Sequence, residues 1–218
     1  MKIIGISDTH GKHKLIPKEF LENADGLIDV IICSGDISEI GYRTEIINFL
    51  GWFNNLPFKH KILIGGNHDF FLENASNEDL TIMFSEYPNV IYLNDSGCEI
   101  DGVKFWGSPV QPYFHNWAFN KLGTDICKHW NKIPLDTNVL ITHGPPEGIL
   151  DENTRGLSVG CPYLLEKIGE LTNLKLHIFG HIHEGYGSLD NGKGLTFVNA
   201  SLLDFRYYMT NNPITIEI

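Results

Sequence analysis

Lys61-Ile-Leu-Ile-Gly-Gly-Asn67-His68-Asp69 sets the architecture. Lys61–Ile64 is a short apolar run with the length of a buried strand. Gly65-Gly66 ends it, and two glycines let the backbone turn sharply enough to bring Asn67 and His68 close to a ligand. A strand that delivers polar residues in this way puts them at the C-terminal edge of a sheet, where open α/β folds build their sites. The pattern recurs along the chain. Ile3–Ile6 leads into Asp8-Thr-His10, and Val30–Cys33 into Gly35-Asp36. Val139–Ile141 leads into Thr142-His143-Gly144, and Leu176–Phe179 into Gly180-His181-Ile-His183. Any one block alone reads as a capped turn, and Asp69 alone as a helix N-cap. Five in one chain, each after an apolar run, point to shared chemistry.

With Asp69 set aside, the blocks offer two Asp, one Asn and four or five His, the oxygen and nitrogen donors that a pair of divalent cations requires. Asp36 carries two oxygens and a full negative charge and can bridge two ions. Asp8 and His10, two apart in an extended segment, point the same way and can reach one ion. His181 and His183 have the same spacing. The remaining histidines, His13, His60, His115, His129 and His177, belong to no block and are expected on the surface or in the core.

Outward from the blocks, strands are expected at Lys2–Ser7, Asp29–Ser34, Lys61–Ile64, Asn89–Leu93, Asn138–Thr142 and Lys175–Phe179. Helices are expected at Gly41–Asn54, Asn77–Glu86, Tyr163–Leu171 and over the aromatic-rich segment Phe114–Trp130. Asp101-Gly102 between Cys98–Ile100 and Val103–Trp106 signals a hairpin, as does Asn191-Gly192. Gly187–Leu189, Leu195–Asn199 and Ile214–Ile218 read as closing antiparallel strands. This order fits an α/β fold, a four-layer α/β/β/α sandwich of two mixed sheets flanked by helices. With site residues spread from 8 to 183 and nothing resembling a linker, residues 1–218 are expected to form a single domain.

A formal net charge of −11 argues against a general nucleic-acid-binding surface, which needs a basic stripe. It does not exclude a phosphate substrate, because two divalent cations make a cleft locally positive. Cys33, Cys98, Cys127 and Cys161 are scattered without a disulfide or zinc spacing. No signal peptide or run of about 20 apolar residues is visible, so no membrane association and a cytoplasmic location are expected. Oligomeric state leaves no trace in the sequence.

The order Asp-x-His, Gly-Asp, Gly-Asn-His-Asp, Thr-His and Gly-His-x-His resembles the calcineurin-like metallophosphoesterase superfamily over Ile3 to Val198. Three stretches are similar to its metallophosphoesterase-domain-containing phosphodiesterase subfamily: Trp106-Gly-Ser-Pro-Val-Gln-Pro112, Ile141-Thr-His-Gly-Pro-Pro146 and Phe179-Gly-His-Ile-His-Glu-Gly-Tyr-Gly187. Some animal members carry Gly for a metal-binding His of the last block; this chain keeps His181. The resemblance implies the same fold and places one metal on Asp8, His10, Asp36 and His183, the other on Asp36, Asn67, His143 and His181. Spacing alone would have put both His181 and His183 on one ion. Two divalent transition-metal ions are therefore expected, manganese first, with Fe, Zn, Co or Ni as alternatives to which the mixed N/O donor set is also suited.

Cations roughly 3.5–4 Å apart clamp phosphoryl oxygens and lower the pKa of a bridging water, whose hydroxide attacks phosphorus in line. His68 has no place in either coordination set and is the candidate proton donor to the leaving oxygen, with Asp69 orienting it or raising its pKa. Among loop residues expected at the same sheet edge, Tyr113, Phe114 and Arg155 are candidates for substrate binding. An aromatic there could stack a base, whereas Phe114 and Trp117 could equally be the core face of a helix. Arg155 could fork onto phosphate or pair with Asp151. The expected function is hydrolysis of small phosphodiesters such as cyclic nucleotides. A phosphomonoesterase or phosphoprotein phosphatase on the same site is the alternative, and a non-catalytic interaction scaffold a remote one.

Overall fold

The computed structural model describes residues 1–23 and 26–218. In chain order the first half contains β1 (Lys2–Ile6), β2 (Val30–Cys33), α1 (Arg43–Asn54), β3 (His60–Leu63), α2 (Phe70–Asn74), α3 (Asn77–Ser85) and β4 (Val90–Tyr92). Then come β5 (Ser96–Ile100), β6 (Val103–Ser108), β7 (Gln111–Pro112), β8 (Asn120–Lys121), α4 (Cys127–Trp130) and β9 (Val139–Thr142). The chain finishes with α5 (Pro162–Glu170), β10 (Leu176–Phe179), β11 (Gly187–Asp190), β12 (Thr196–Asn199) and β13 (Ile214–Glu217).

Two large sheets result, ordered β13-β1-β2-β3-β4 and β11-β12-β10-β9-β6-β5. Both are mixed. β1 to β4 run parallel and β13 closes their edge antiparallel to β1. β6, β9, β10 and β12 run parallel, with β5 and β11 antiparallel at the edges. The central strands alternate between two apolar faces, as strands buried on both sides must. Val30, Ile32, Ile62, Val139, Ile141, Leu176, Ile178 and Val198 fill the layer between the sheets. Ile4, Ile6, Ile31, Cys33 and Leu63 face outward onto Phe49, Leu50 and Phe53 of α1 and Leu80 and Met83 of α3. Leu140, Phe179 and Phe197 face the other way onto Trp130 of α4 and Leu164 and Ile168 of α5. Three apolar interfaces between four layers of secondary structure make the expected α/β/β/α sandwich. Each fully buried side chain of this size contributes about 1.5–3 kcal/mol.

Asp101 and Gly102 both lie at positive φ, 49° and 80°, as a two-residue hairpin between β5 and β6 requires. Two expectations need correction. Phe114–Trp130 is not one helix: β8, a 3-10 turn at Gly123–Ile126 and one turn of α4 occupy it. His115 and Phe119 sit at φ 51° and 58°, and the Asn120 side-chain amide donates to the Phe114 and His115 carbonyls, so the segment is wound into a loop. Leu195–Asn199 is antiparallel only toward β11; its other edge pairs parallel with β10. No helix among the described residues is long and apolar enough to cross a membrane.

Candidate metal centre and active site

The five blocks follow β1, β2, β3, β9 and β10, neighbours in their sheets, so their loops meet above one edge of the sandwich. Backbone bonds tie them together: Asp8 N–H to the Gly35 carbonyl at 3.0 Å, His10 N–H to Asp36 at 3.0 Å, and Gly180 N–H to His143 at 2.8 Å. Asp8, His10, Asp36 and His181 all adopt positive φ, between 40° and 69°. Such conformations cost non-glycine residues about 1–3 kcal/mol each and persist where surrounding contacts impose them, typically at functional sites. The glycines of the blocks have a different reason. A Cβ on Gly66 would stand 2.3 Å from Asp36 Oδ1, and one on Gly180 would stand 2.1 Å from Asp8 Oδ2.

The side chains form overlapping donor groups. Asp8, His10 and His183 bring ligand atoms within 4.8 Å of one another, as do Asp36, His143 and His181, and also His10, Asp36 and His68. Asp36 lies between the first two: Oδ2 is 3.6 Å from His10 Nε2 and Oδ1 is 3.4 Å from His143 Nε2. His183 Nε2 is 3.5 Å from Asp8 Oδ1, and Asn67 Oδ1 is 2.8 Å from His143 Nε2. A carboxylate with one oxygen toward each group has the geometry of a bridge.

Backbone carbonyls set the imidazole tautomers. Nδ1 of His143 meets the Ser34 carbonyl at 2.9 Å, Nδ1 of His183 the Asp204 carbonyl at 2.9 Å, and Nδ1 of His68 the Glu39 carbonyl at 2.6 Å. Each Nδ1 must carry the proton to donate, which leaves Nε2 for the site, the usual arrangement behind a metal-binding His. Asp8 is fixed by Ser201 Oγ at 2.7 Å and by the His181 N–H.

Burial sets the electrostatics. It pushes His10 down to about 4, and together with nearby His143 pushes His181 down to about 3, so both are neutral nitrogen donors. Burial would also lower His143 and His183, but Asp36 beside the first and Asp8 beside the second lift each to about 9. Both carboxylates are held below the usual range by those same histidines, against the opposing pull of burial. The protons on His143 and His183 are the ones a cation would displace. The residues fit divalent ions on a further observation: His10 is buried, yet neither of its ring nitrogens has a hydrogen-bond partner among the described residues. An orphaned buried imidazole is costly without a ligand.

Asp69 does not orient His68 by a direct hydrogen bond. Its buried carboxylate accepts from Ser38 Oγ at 2.6 Å, Ser38 N at 3.0 Å, Gly66 N at 2.8 Å and Ile37 N at 3.3 Å. It clamps the Asp36 and Asn67 loops to each other. Burial and neighbouring Asp36 raise it to about 6. The imidazole of His68 is oriented instead by the Glu39 carbonyl, by Trp117 stacked on its face at 4.2 Å, and by the edge of His10 at 4.5 Å. The Glu45 carboxylate of α1 holds Glu39 in place by accepting its N–H at 3.0 Å.

A cleft of about 560 Å³ opens over the donor groups, lined by His10, Asp36, Asn67, His68, His181 and His183. Tyr113, Phe114 and Trp117 form one wall, so Phe114 and Trp117 are not the core face of a helix; Phe114 is 56% exposed. Arg155 is exposed on the loop 147–160 and does not line the cleft, where Asn153 and Val159 stand instead. Nor does it pair with Asp151, whose carboxylate is committed to Gly148 N, Gly160 N and Ser158 Oγ. His177 is buried against Thr142 Oγ1 at 2.8 Å, a core position. Sequence reasoning missed Tyr207, which lines the cleft, together with Ser201 and the carbonyls of Ser34, Glu39 and Asp204. Carbonyls carry no residue signature. Tyr207 lies beyond the last block, in a stretch between Asn199 and Ile214 to which the sequence assigns no element.

Comparison with known proteins agrees with this geometry. The family model for calcineurin-like phosphoesterases matches residues 1–185. The human metallophosphoesterase domain-containing protein 1 is 36% identical over 238 residues, covering 100% of this chain and 71% of its own. A Caenorhabditis elegans relative, UPF0046 protein C25E10.12, is 34% identical over 234 residues, covering 100% of this chain and 81% of its own. Among solved structures, TT1561 of Thermus thermophilus superposes with a TM-score of 0.66 at 15% identity, covering 98% of this chain and 97% of that one, a likeness of fold. The chain belongs to the calcineurin-like phosphoesterase family, metal-dependent hydrolases of phosphate esters.

Proposed function

We propose that the chain hydrolyses small phosphodiesters with the help of two divalent transition-metal ions, manganese foremost. One would be held by Asp8, His10, Asp36 and His183, the other by Asp36, Asn67, His143 and His181. The observation that carries this reading is Asp36, placed with one oxygen toward each donor group. When bound, the ion pair supplies Lewis acidity toward the phosphoryl oxygens and toward water. The chain's own residues do the rest. Asp8 and Asp36 would offset the charge of the ions, and the carbonyls of Ser34 and Asp204 keep Nε2 of His143 and His183 turned inward. His68, with Nδ1–H given to Glu39, presents Nε2 to the cleft; in its protonated form it passes that proton to the departing oxygen.

The diester preference rests on what the cleft offers beyond the metals. A monoester dianion calls for additional Arg or Lys clamps, and no Arg or Lys lines this cleft among the described residues. Tyr113, Phe114, Trp117 and Val159 supply apolar surface for a second ester group. Side-by-side kinetics on bis-p-nitrophenyl phosphate, 2′,3′- and 3′,5′-cyclic nucleotides and p-nitrophenyl phosphate, under one metal and pH, test the preference. A higher kcat/KM for the diesters supports it; a monoester favoured tenfold would make the chain a phosphatase.

A further inference from the structure

The geometry points to Tyr207 as a specificity-determining residue of this site: its ring is a wall beside His68 that receives the planar aromatic portion of the ester. This rests on the phosphoesterase reading above and on the place of His68 within it.

The loop carrying Tyr207 is built to hold one ring in one place. The Asp204 carboxylate accepts from the N–H of Arg206 and of Tyr208, both at 2.9 Å, and Asp204 N–H donates to the Tyr208 carbonyl at 2.9 Å. Tyr207 sits at φ 64°, a conformation an aromatic residue adopts only under constraint. Its N–H donates at 2.8 Å to the Asp204 carbonyl, the same oxygen that accepts from His183 Nδ1. From the opposite loop, Lys12 Nζ reaches the Tyr207 carbonyl at 2.6 Å. The ring is therefore registered to both His183 and the His10 loop.

Its surroundings distinguish a wall from a core residue. The ring meets His10 at 4.8 Å, His183 at 5.3 Å and His68 at 6.5 Å between centroids, in edge-type contacts. It is nonetheless 39% exposed, and the exposed part lines the cleft. Trp117 lies flat on His68, so the proton-donating imidazole has an aromatic ring on its face and another at its edge. Trp117 and Tyr207 both line the cleft that His68 faces. The flanking Phe205 and Tyr208 do not line the cleft.

The test compares Tyr207→Ala, Tyr207→Leu and Tyr207→Phe with the wild type, each loaded with manganese, titrated calorimetrically with phenyl phosphate and with inorganic phosphate. Removing a stacking ring commonly costs about 5- to 150-fold in affinity. Tyr207→Ala is expected to lose that much toward phenyl phosphate while binding inorganic phosphate within about twofold of wild type. Tyr207→Leu, which keeps bulk over His10 without a flat face, should follow the alanine variant, and Tyr207→Phe should follow the wild type. With bis-p-nitrophenyl phosphate, KM should rise more than kcat falls. Equal losses for both phosphates, or loss of bound manganese, would reduce Tyr207 to a support for His183 and overturn the inference. Tyr207→Phe as damaging as Tyr207→Ala would overturn it in favour of the hydroxyl. A wild type that hydrolyses no phosphoester would remove the esterase reading, while the contrast between the two phosphates would still decide the role of the ring.

Discussion

Asp69→Ala should disorganise the candidate metal site without removing any of the proposed ligands. The carboxylate is fully buried and accepts hydrogen bonds from the backbone of Ile37, Ser38 and Gly66 and from the Ser38 hydroxyl. Alanine leaves three buried N–H groups without acceptors. Each orphaned donor costs about 1–3 kcal/mol, and with partial relaxation a total of about 3–5 kcal/mol is expected. Asp69→Asn keeps one acceptor but sets an NH2 against N–H donors, so it should cost about 1–3 kcal/mol. Those N–H groups belong to the loops that carry Asp36 and Asn67, so manganese affinity should fall along with stability. His68 keeps its Glu39 carbonyl, so residual turnover at saturating manganese should show the wild-type dependence on leaving group. Urea denaturation of metal-free protein, paired with manganese titration, measures both effects. An Asp69→Ala protein that loses less than about 1 kcal/mol and binds manganese normally would refute the clamp.

Two further outcomes follow from single residues. His68→Ala should keep its metals yet lose roughly 10²–10⁴-fold in kcat on esters with poor leaving groups, and less on p-nitrophenyl esters; equal losses on both would point to positioning rather than proton transfer. His13, buried against Phe49 and Trp52 with neither ring nitrogen paired among the described residues, is lowered by burial to about 4. The unfolded chain takes up that proton near 6.5, so this contribution to stability is complete above that pH and is lost as pH falls toward 4. The loss is at most about 3 kcal/mol. His13→Phe should remove that part of the pH dependence, which denaturation at pH 7 and pH 5 would show; an unchanged difference would count against it.

The layers were legible because strands buried on both faces and closed by Gly or Asp turns leave local signals. Lys61–Ile64 with its glycines, and Asp101-Gly102, are examples. The five polar blocks were legible for the same reason: each is contiguous and follows its strand. What escaped depends on tertiary closure. The loop at 114–119 reads as helix by composition, and only the Asn120 amide and two left-handed residues wind it otherwise. Asp69 adjoins His68 in sequence, yet its side chain turns toward Ser38 and Gly66. The carbonyls that orient three histidines could belong to any residue type. Tyr207 reaches the site only because the bridge between Ser7 and Ser201 and the Asp204 turn fold the C-terminal segment over His10.

The central claim is a pair of ions sharing Asp36, and elemental analysis coupled to hydrolysis tests it most directly. Protein dialysed against chelator should be inactive on bis-p-nitrophenyl phosphate, and manganese should restore turnover as two ions bind per chain, whereas Asp36→Asn should lose affinity at both positions. Turnover in protein shown to be free of metal, or two manganese ions bound to Asp36→Asn with wild-type affinity, would contradict it.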